Sequence, residues 1–127
     1  NKMKKYILCI GMMGLALQGY SQSAEKGKAI YAKTCIACHQ AAGQGIPGAF
    51  PPLAKSDYLN KDVNRAIKGV VKGLTGPITV NGKKYSGAMP AQALSDQQIA
   101  DAMTYAYASW GNNKTKVTPA MVKAQRK

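Results

Sequence analysis

Cys35-Ile36-Ala37-Cys38-His39 is the stretch on which the fold turns. Two thiols three positions apart fit on one helical turn, and an imidazole follows at the next position. This is the attachment signature of c-type haem, in which both thiols add to the porphyrin vinyl groups and the adjacent imidazole binds the iron. The spacing has a physical reason: two thioethers on one turn fix the porphyrin edge, and the next residue then projects over the ring centre, where a proximal ligand must sit.

Other uses of a close cysteine pair have to be weighed. In an oxidising compartment the two thiols can form a tight disulfide, bind a metal or be capped covalently. A structural zinc site takes four ligands. Beyond the N-terminal segment the chain offers only these three Cys and His, so zinc would need an Asp, a Glu or water to complete it. A thioredoxin-like dithiol would follow a strand in a βαβ pattern, which this sequence lacks.

Upstream, Lys4-Lys5, the apolar run Tyr6 to Leu17 and then Gln18 to Ser23 follow the basic, apolar, small-residue order of a secretory signal peptide. We expect residues 1–23 to be that export segment, cleaved after Ser21 or Ser23, with Cys9 a small apolar residue lost along with it. The run is 12 residues, short of the roughly 18 needed to span a bilayer, so no stable membrane anchor is expected. The remainder divides into a haem domain over 24–113 and a basic tail over 114–127. Ser23 is placed to cap a first helix, on which Ala24, Gly27, Ile30, Tyr31 and Thr34 recur at helical spacing up to the cysteine pair.

Downstream, Gly43 to Pro52 is too rich in Gly and Pro for regular structure, yet it holds the only Phe, Phe50. A fixed loop wrapped on something apolar is expected there. Asn60 is expected to cap a second helix with the stripe Val63, Ile67, Val70, Val71 and Leu74, ended by Gly73. The only strand signal is Ile78 to Tyr85, where Asn81-Gly82 forms a turn between short β-prone arms. Ser95 and Gln98 make a capping box for a last helix whose face is Ile99, Ala102, Met103, Ala106 and Trp110, stopped by Gly111. Thr118-Pro119 can start a short helical turn in the tail.

Length and charge narrow the class. A chain of 127 residues is one domain, and nine aromatics are a thin supply of large side chains for a lone core. Eighteen Lys and Arg against five Asp and Glu give +13; without residues 1–23 the balance is fifteen to five, or +10. Net charge is only a footprint, and an exported chain is not expected to meet nucleic acid. The five acids are scattered and form no acid/base pair visible in sequence, so no chemical conversion of a substrate is expected.

With a single His, a sixth iron ligand cannot be a second imidazole, and thioethers are the remaining soft donors. Met103 falls on a helical stripe, where core packing explains it, and Met121 falls in the charged tail. Met89 stands in the turned segment Tyr85-Ser-Gly-Ala-Met-Pro90, where ligation explains it better than packing does.

Over essentially its whole length after residue 23 the chain resembles the class I c-type cytochromes, through CIACH, FPPL, YSGAMP and a Tyr-rich last helix, in that order. The resemblance implies an all-α mono-haem fold with first and last helices crossing, one middle helix and a small hairpin. It implies one covalent haem c, proximal His39, distal Met89, the Pro51 carbonyl accepting the free imidazole N–H, and Leu53 and Tyr85 at the cofactor. That second bond would fix the ring and raise its basicity. Gly27 and Tyr31 would meet Ala102 and Tyr105 where the helices cross. More narrowly, the stretches around GQGIPGAFPPL and GPITVNGKKYSGAMP are similar to small cytochrome domains coupled to copper nitrite reductases and quinoprotein dehydrogenases.

The implied activity is periplasmic single-electron transfer, with redox proteins as partners and Lys55, Lys83 and Lys84 as candidates to steer an acidic docking face. Two alternatives stay open: an electron-transfer subunit of a larger oxidoreductase, and a haem sensor or enzyme with an open sixth site.

Overall fold

A helix (α1) occupies residues 23–34 of the computed structural model, which describes residues 23–127. Ser23 is already helical and so does not cap α1 as expected, and residues 1–22 of the expected export segment fall outside the described residues. After a turn at Cys35 the chain continues as α2, Ile36–His39. The amides of Cys35 and His39 still reach back four residues, to Tyr31 and Cys35, so the cysteine motif is wound as a helical turn. Gln40 ends it at a φ of 67°.

Two helices follow the Gly/Pro loop. Asp57–Lys61 (α3) was not expected; the side chain of Ser56 caps it by accepting from the amide of Leu59. Val63–Lys72 (α4) is capped by Asp62, whose carboxylate accepts from the amide of Arg65. This corrects the expectation for Asn60, which lies inside α3 and spends its side-chain amide on the carbonyl of Ser56 and on Asn112 Oδ1. A carboxylate at the positive helix end is also the better cap electrostatically. Gly73 ends α4 at a φ of 80°, as expected, which puts Leu74 beyond the helix.

The hairpin forms as read. Ile78–Val80 (β1) pairs antiparallel with Lys83–Tyr85 (β2), and both turn residues have positive φ, the requirement of the tight hairpin turn that favours Asn-Gly. Asp57 and Asn81 exchange two bonds, each side chain accepting from the other's amide, and so pin the turn to α3.

The last long helix, Asp96–Ala108 (α5), has the full capping box of Ser95 and Gln98. It stops before Trp110, because the Ser109 hydroxyl takes the Tyr105 carbonyl at 2.6 Å and Asn112 Nδ2 takes that of Ala106 at 2.9 Å. Trp110 instead turns back, at a φ of 54°, to lie 5.3 Å from the ring of Tyr31 and 5.6 Å from that of Tyr105. Thr118 caps Pro119–Ala124 (α6).

The expected helix crossing is real. A Cβ on Gly27 would lie 1.9 Å from the carbonyl oxygen of Asp101 and 2.9 Å from Cβ of Tyr105, so α1 meets α5 with no room for a side chain. Tyr31 meets Tyr105 one turn on, ring centroids 5.6 Å apart. The main core lies on another face of α5, where Ile99, Met103 and Tyr107 pack with Leu59, Ile67, Val117 and Val122. Ile67 and Ile99 are wholly buried, worth about 1.5–3 kcal/mol each. Val117 and Val122, read from sequence as part of a basic tail, are core residues. Among the described residues the architecture is mostly helical with one two-stranded sheet.

Candidate functional site

An apolar cleft of about 250 Å³ opens between α2, the Gly/Pro loop, the segment after α4, the hairpin and the loop that carries Met89. Cys35, Cys38, His39, Pro51, Tyr85 and Met89 all line it, so six of the seven residues singled out in the sequence come together. Leu53 is the exception. Its side chain packs against the main core, while its backbone anchors the loop through Leu53 N donating to the Gly43 carbonyl at 2.7 Å.

His39 is set by its neighbours. Nδ1 lies 2.9 Å from the Pro51 carbonyl, and since a carbonyl only accepts, Nδ1 carries the proton and Nε2 keeps its lone pair. Burial lowers the pKa of the ring, with the Pro51 bond opposing it, so the neutral, ligating form is favoured. Burial, and then the neighbouring Cys38, push the Cys35 thiol up to about 11. Cys35 is half-buried and Cys38 exposed, and no disulfide joins them.

The Gly/Pro loop is fixed chiefly by backbone. Ile46 and Phe50 pair as an isolated bridge, the amide of Gly45 donates to the His39 carbonyl at 3.0 Å, and Leu53 and Ala54 both donate to Gly43. Gly45 has to be glycine: its φ is 65°, and a Cβ there would come within 2.8 Å of the Pro51 carbonyl that holds His39. Phe50 lines the cleft as expected, yet it stays 36% exposed, so the loop covers one side of the space without closing it.

Met89 is held from the end of α4. Leu74 and Met89 exchange two backbone bonds, and the amide of Gln92 donates to the Val70 carbonyl. Gly73 lets the two segments approach, since a Cβ on it would lie 2.9 Å from Met89 O and from Ala91 N. Met103 is buried in the main core and Met121 packs against it, so neither reaches the cleft, as expected for Met103.

The donor set fits a c-type haem. One imidazole nitrogen with a free lone pair, one thioether and two thiols face a single apolar space, and no side chain lining it is charged apart from the ionisable His39. The described residues hold no group of three or more His, Cys, Asp or Glu gathered around one point for a metal ion, as a zinc site would require. Sequence reading missed Leu74 and Ile78 as walls of the cleft; it counted Leu74 into the helix and Ile78 only as a strand residue. Among the described residues no helix is long and apolar enough to cross a membrane.

Comparison with known proteins agrees with this geometry. The family model described as Cytochrome c matches residues 24–107. Cytochrome c-552 of Thermus thermophilus is 38% identical over 91% of this chain and 93% of its own length. The cytochrome c subunit of the quinone alcohol dehydrogenase of Gluconobacter oxydans is 32% identical over 77% of this chain and 21% of its own length. Cytochrome c-555 of Chlorobaculum thiosulfatiphilum is 29% identical over 65% of this chain and 91% of its own.

Proposed function

This chain belongs to the cytochrome c family, and from that premise we propose that Cys35 and Cys38 attach its haem c while His39 and Met89 hold the iron from the two axial positions. The chain is an electron-transfer protein with a covalently bound haem, not an enzyme. When bound, the haem supplies one-electron Fe(III)/Fe(II) chemistry.

The residues do the rest. His39 presents Nε2 to the cleft because its Nδ1 proton is engaged by the Pro51 carbonyl. Met89 brings a neutral, soft sulfur, which favours Fe(II) and raises the potential relative to anionic or bis-imidazole sites. Leu74, Ile78 and Tyr85 exclude water from one part of the cleft, and Cys38 and Phe50 leave another part accessible. Electrons cross at that accessible side.

The observation that carries this reading is the convergence of Cys35, Cys38, His39 and Met89 on one apolar cleft. Protein matured with a haem-attachment system should keep its colour through acidic organic extraction and gain the mass of one haem. Colourless protein after that treatment would refute covalent attachment.

The exported, periplasmic setting follows from the N-terminal segment together with this chemistry, and redox proteins are the partners. Lys83 and Lys84, exposed on β2 beside the cleft residue Tyr85, are our candidates for steering an acidic partner. Lys55 serves less well, because its side-chain stem passes beside Gly111, where a Cβ would meet it at 3.1 Å. A second reading, a haem subunit working inside a dehydrogenase complex, is supported by the match to the quinone alcohol dehydrogenase subunit; copurification with a dehydrogenase would separate the two.

A further inference from the structure

We propose that Asn112 is a positioning residue for the axial histidine, acting through the Pro51-Pro52-Leu53 strut to hold the Pro51 carbonyl on His39. The proposal rests on His39 being the iron ligand. Asn112 is buried and uses its side-chain amide fully: Nδ2 donates to the carbonyls of Leu53 and Ala106, both at 2.9 Å, and Oδ1 accepts from Asn60 Nδ2 at 3.0 Å. One side chain thus ties the end of α5 and the helix α3 to the loop that carries Pro51.

The strut has few other supports. Pro51 and Pro52 have no N–H to donate, and their rings restrict φ, so that peptide segment moves as a stiff piece. It is held at Phe50, paired with Ile46, and at Leu53, whose N–H goes to Gly43 and whose carbonyl goes to Asn112. Gly45 packs against the Pro51 carbonyl from the other side. Removing the Asn112 donor leaves the Leu53 end to its N–H bond with Gly43 and its packing on the core, and the Pro51 carbonyl is held less firmly on Nδ1. A weaker bond makes the imidazole a poorer donor to iron, which favours Fe(II).

Asn113 supplies the control. Its backbone amide and its Nδ2 bond the side chain and carbonyl of Asn60, at 3.0 and 3.2 Å, so it braces α3 without bonding Leu53.

The experiment compares holoprotein carrying Asn112→Ala, Asn112→Leu, Asn112→Gln or Asn113→Ala with the unaltered chain. Reduction potential, thermal melting and exchange of the His39 ring N–H seen by NMR are measured for each. Asn112→Ala and Asn112→Leu, which are neutral and cannot donate, should raise the potential and speed ring N–H exchange several-fold. Asn112→Gln should recover part of both, while Asn113→Ala should lower the melting temperature with the potential unmoved. Equal potentials in Asn112→Ala and the unaltered chain, with melting lowered, would reduce Asn112 to a purely structural brace. Should Asn112→Ala not fold, Asn112→Leu, which keeps the branched side-chain shape without a donor or a charge, carries the test. Failure of the underlying ligation is visible separately, as a spectrum of the unaltered chain that lacks histidine on the iron.

Discussion

Leu74 and Met89 lock together through two backbone hydrogen bonds, Leu74 N to Met89 O at 2.9 Å and Met89 N to Leu74 O at 2.8 Å. Leu74, just beyond α4, therefore positions the segment of Met89, the proposed axial ligand, without using the Met89 side chain. Loop position and sulfur ligation are separable for that reason.

Replacement of Met89 by Ala should leave the fold in place, abolish sulfur-to-iron charge-transfer absorption in the oxidised protein and lower the reduction potential. Met103→Ala should do the opposite: an unchanged spectrum with a loss of about 2–5 kcal/mol in denaturant unfolding, because Met103 is a core residue. A lost charge-transfer band in the Met103 variant would transfer the ligand role to it.

Gly27 offers a test of the helix crossing in which the sign is diagnostic. In an open helix, Gly→Ala stabilises by about 1 kcal/mol. Here the new Cβ would stand 1.9 Å from the Asp101 carbonyl oxygen, a backbone atom with no rotamer to escape into. Gly27→Ala should therefore destabilise, by about 3 kcal/mol if overpacking has its usual upper cost, and Gly27→Leu should cost at least as much. Melting at or above that of the unaltered chain would place Gly27 away from α5.

Local signals were legible where they act within a few residues. The Cys35–His39 turn, the Asn81-Gly82 hairpin, the Ser95 capping box and the Thr118-Pro119 start all work through bonds between near neighbours. Helix ends were misread where a distant partner decides them. Asn60 looked like a cap, but Asn112, 52 positions away, claims its amide. Trp110 continued the α5 stripe in sequence, but the Ser109 and Asn112 side chains end the helix before it, and its ring lies tilted against that of Tyr31. Leu53 and Tyr85 carried the same expectation from resemblance, and only the fold shows that one side chain faces the core and the other the cleft.

Tyr107 predicts an alkaline limit to stability. It is fully buried, and its hydroxyl donates to the Leu59 carbonyl at 2.7 Å. Burial first, then the Asp62 carboxylate, raise its pKa to about 12, with Arg65 opposing. Unfolded tyrosine titrates near 10, so the folded state holds the proton longer. Stability from this group is complete below about pH 10 and falls as pH rises toward 12. Tyr107→Phe should be less stable at neutral pH, where it lacks the Leu59 bond, and should lose less stability than the unaltered chain between pH 10 and 12. Parallel curves for the two proteins over that range would assign the alkaline loss to other groups.

Charge should govern the rate of encounter with a partner rather than the chemistry at the haem. Apart from the ionisable His39, the side chains lining the cleft carry no charge, while without residues 1–23 the chain holds +10, with Lys83 and Lys84 exposed on the strand that ends in Tyr85. Attraction to an acidic partner would reach across about one Debye length, roughly 10 Å at 0.1 M salt. Electron transfer to such a partner should slow steeply from low salt to about 0.3 M, and Lys83→Gln with Lys84→Gln should flatten that slope while leaving the reduction potential unchanged. Lys55→Gln, with its stem beside Gly111, should flatten it less. A rate that does not vary with salt would show that the uncharged cleft mouth, with exposed Ile46 and Phe50 near it, docks through apolar contact alone, and a rate that rises with salt would identify a basic partner.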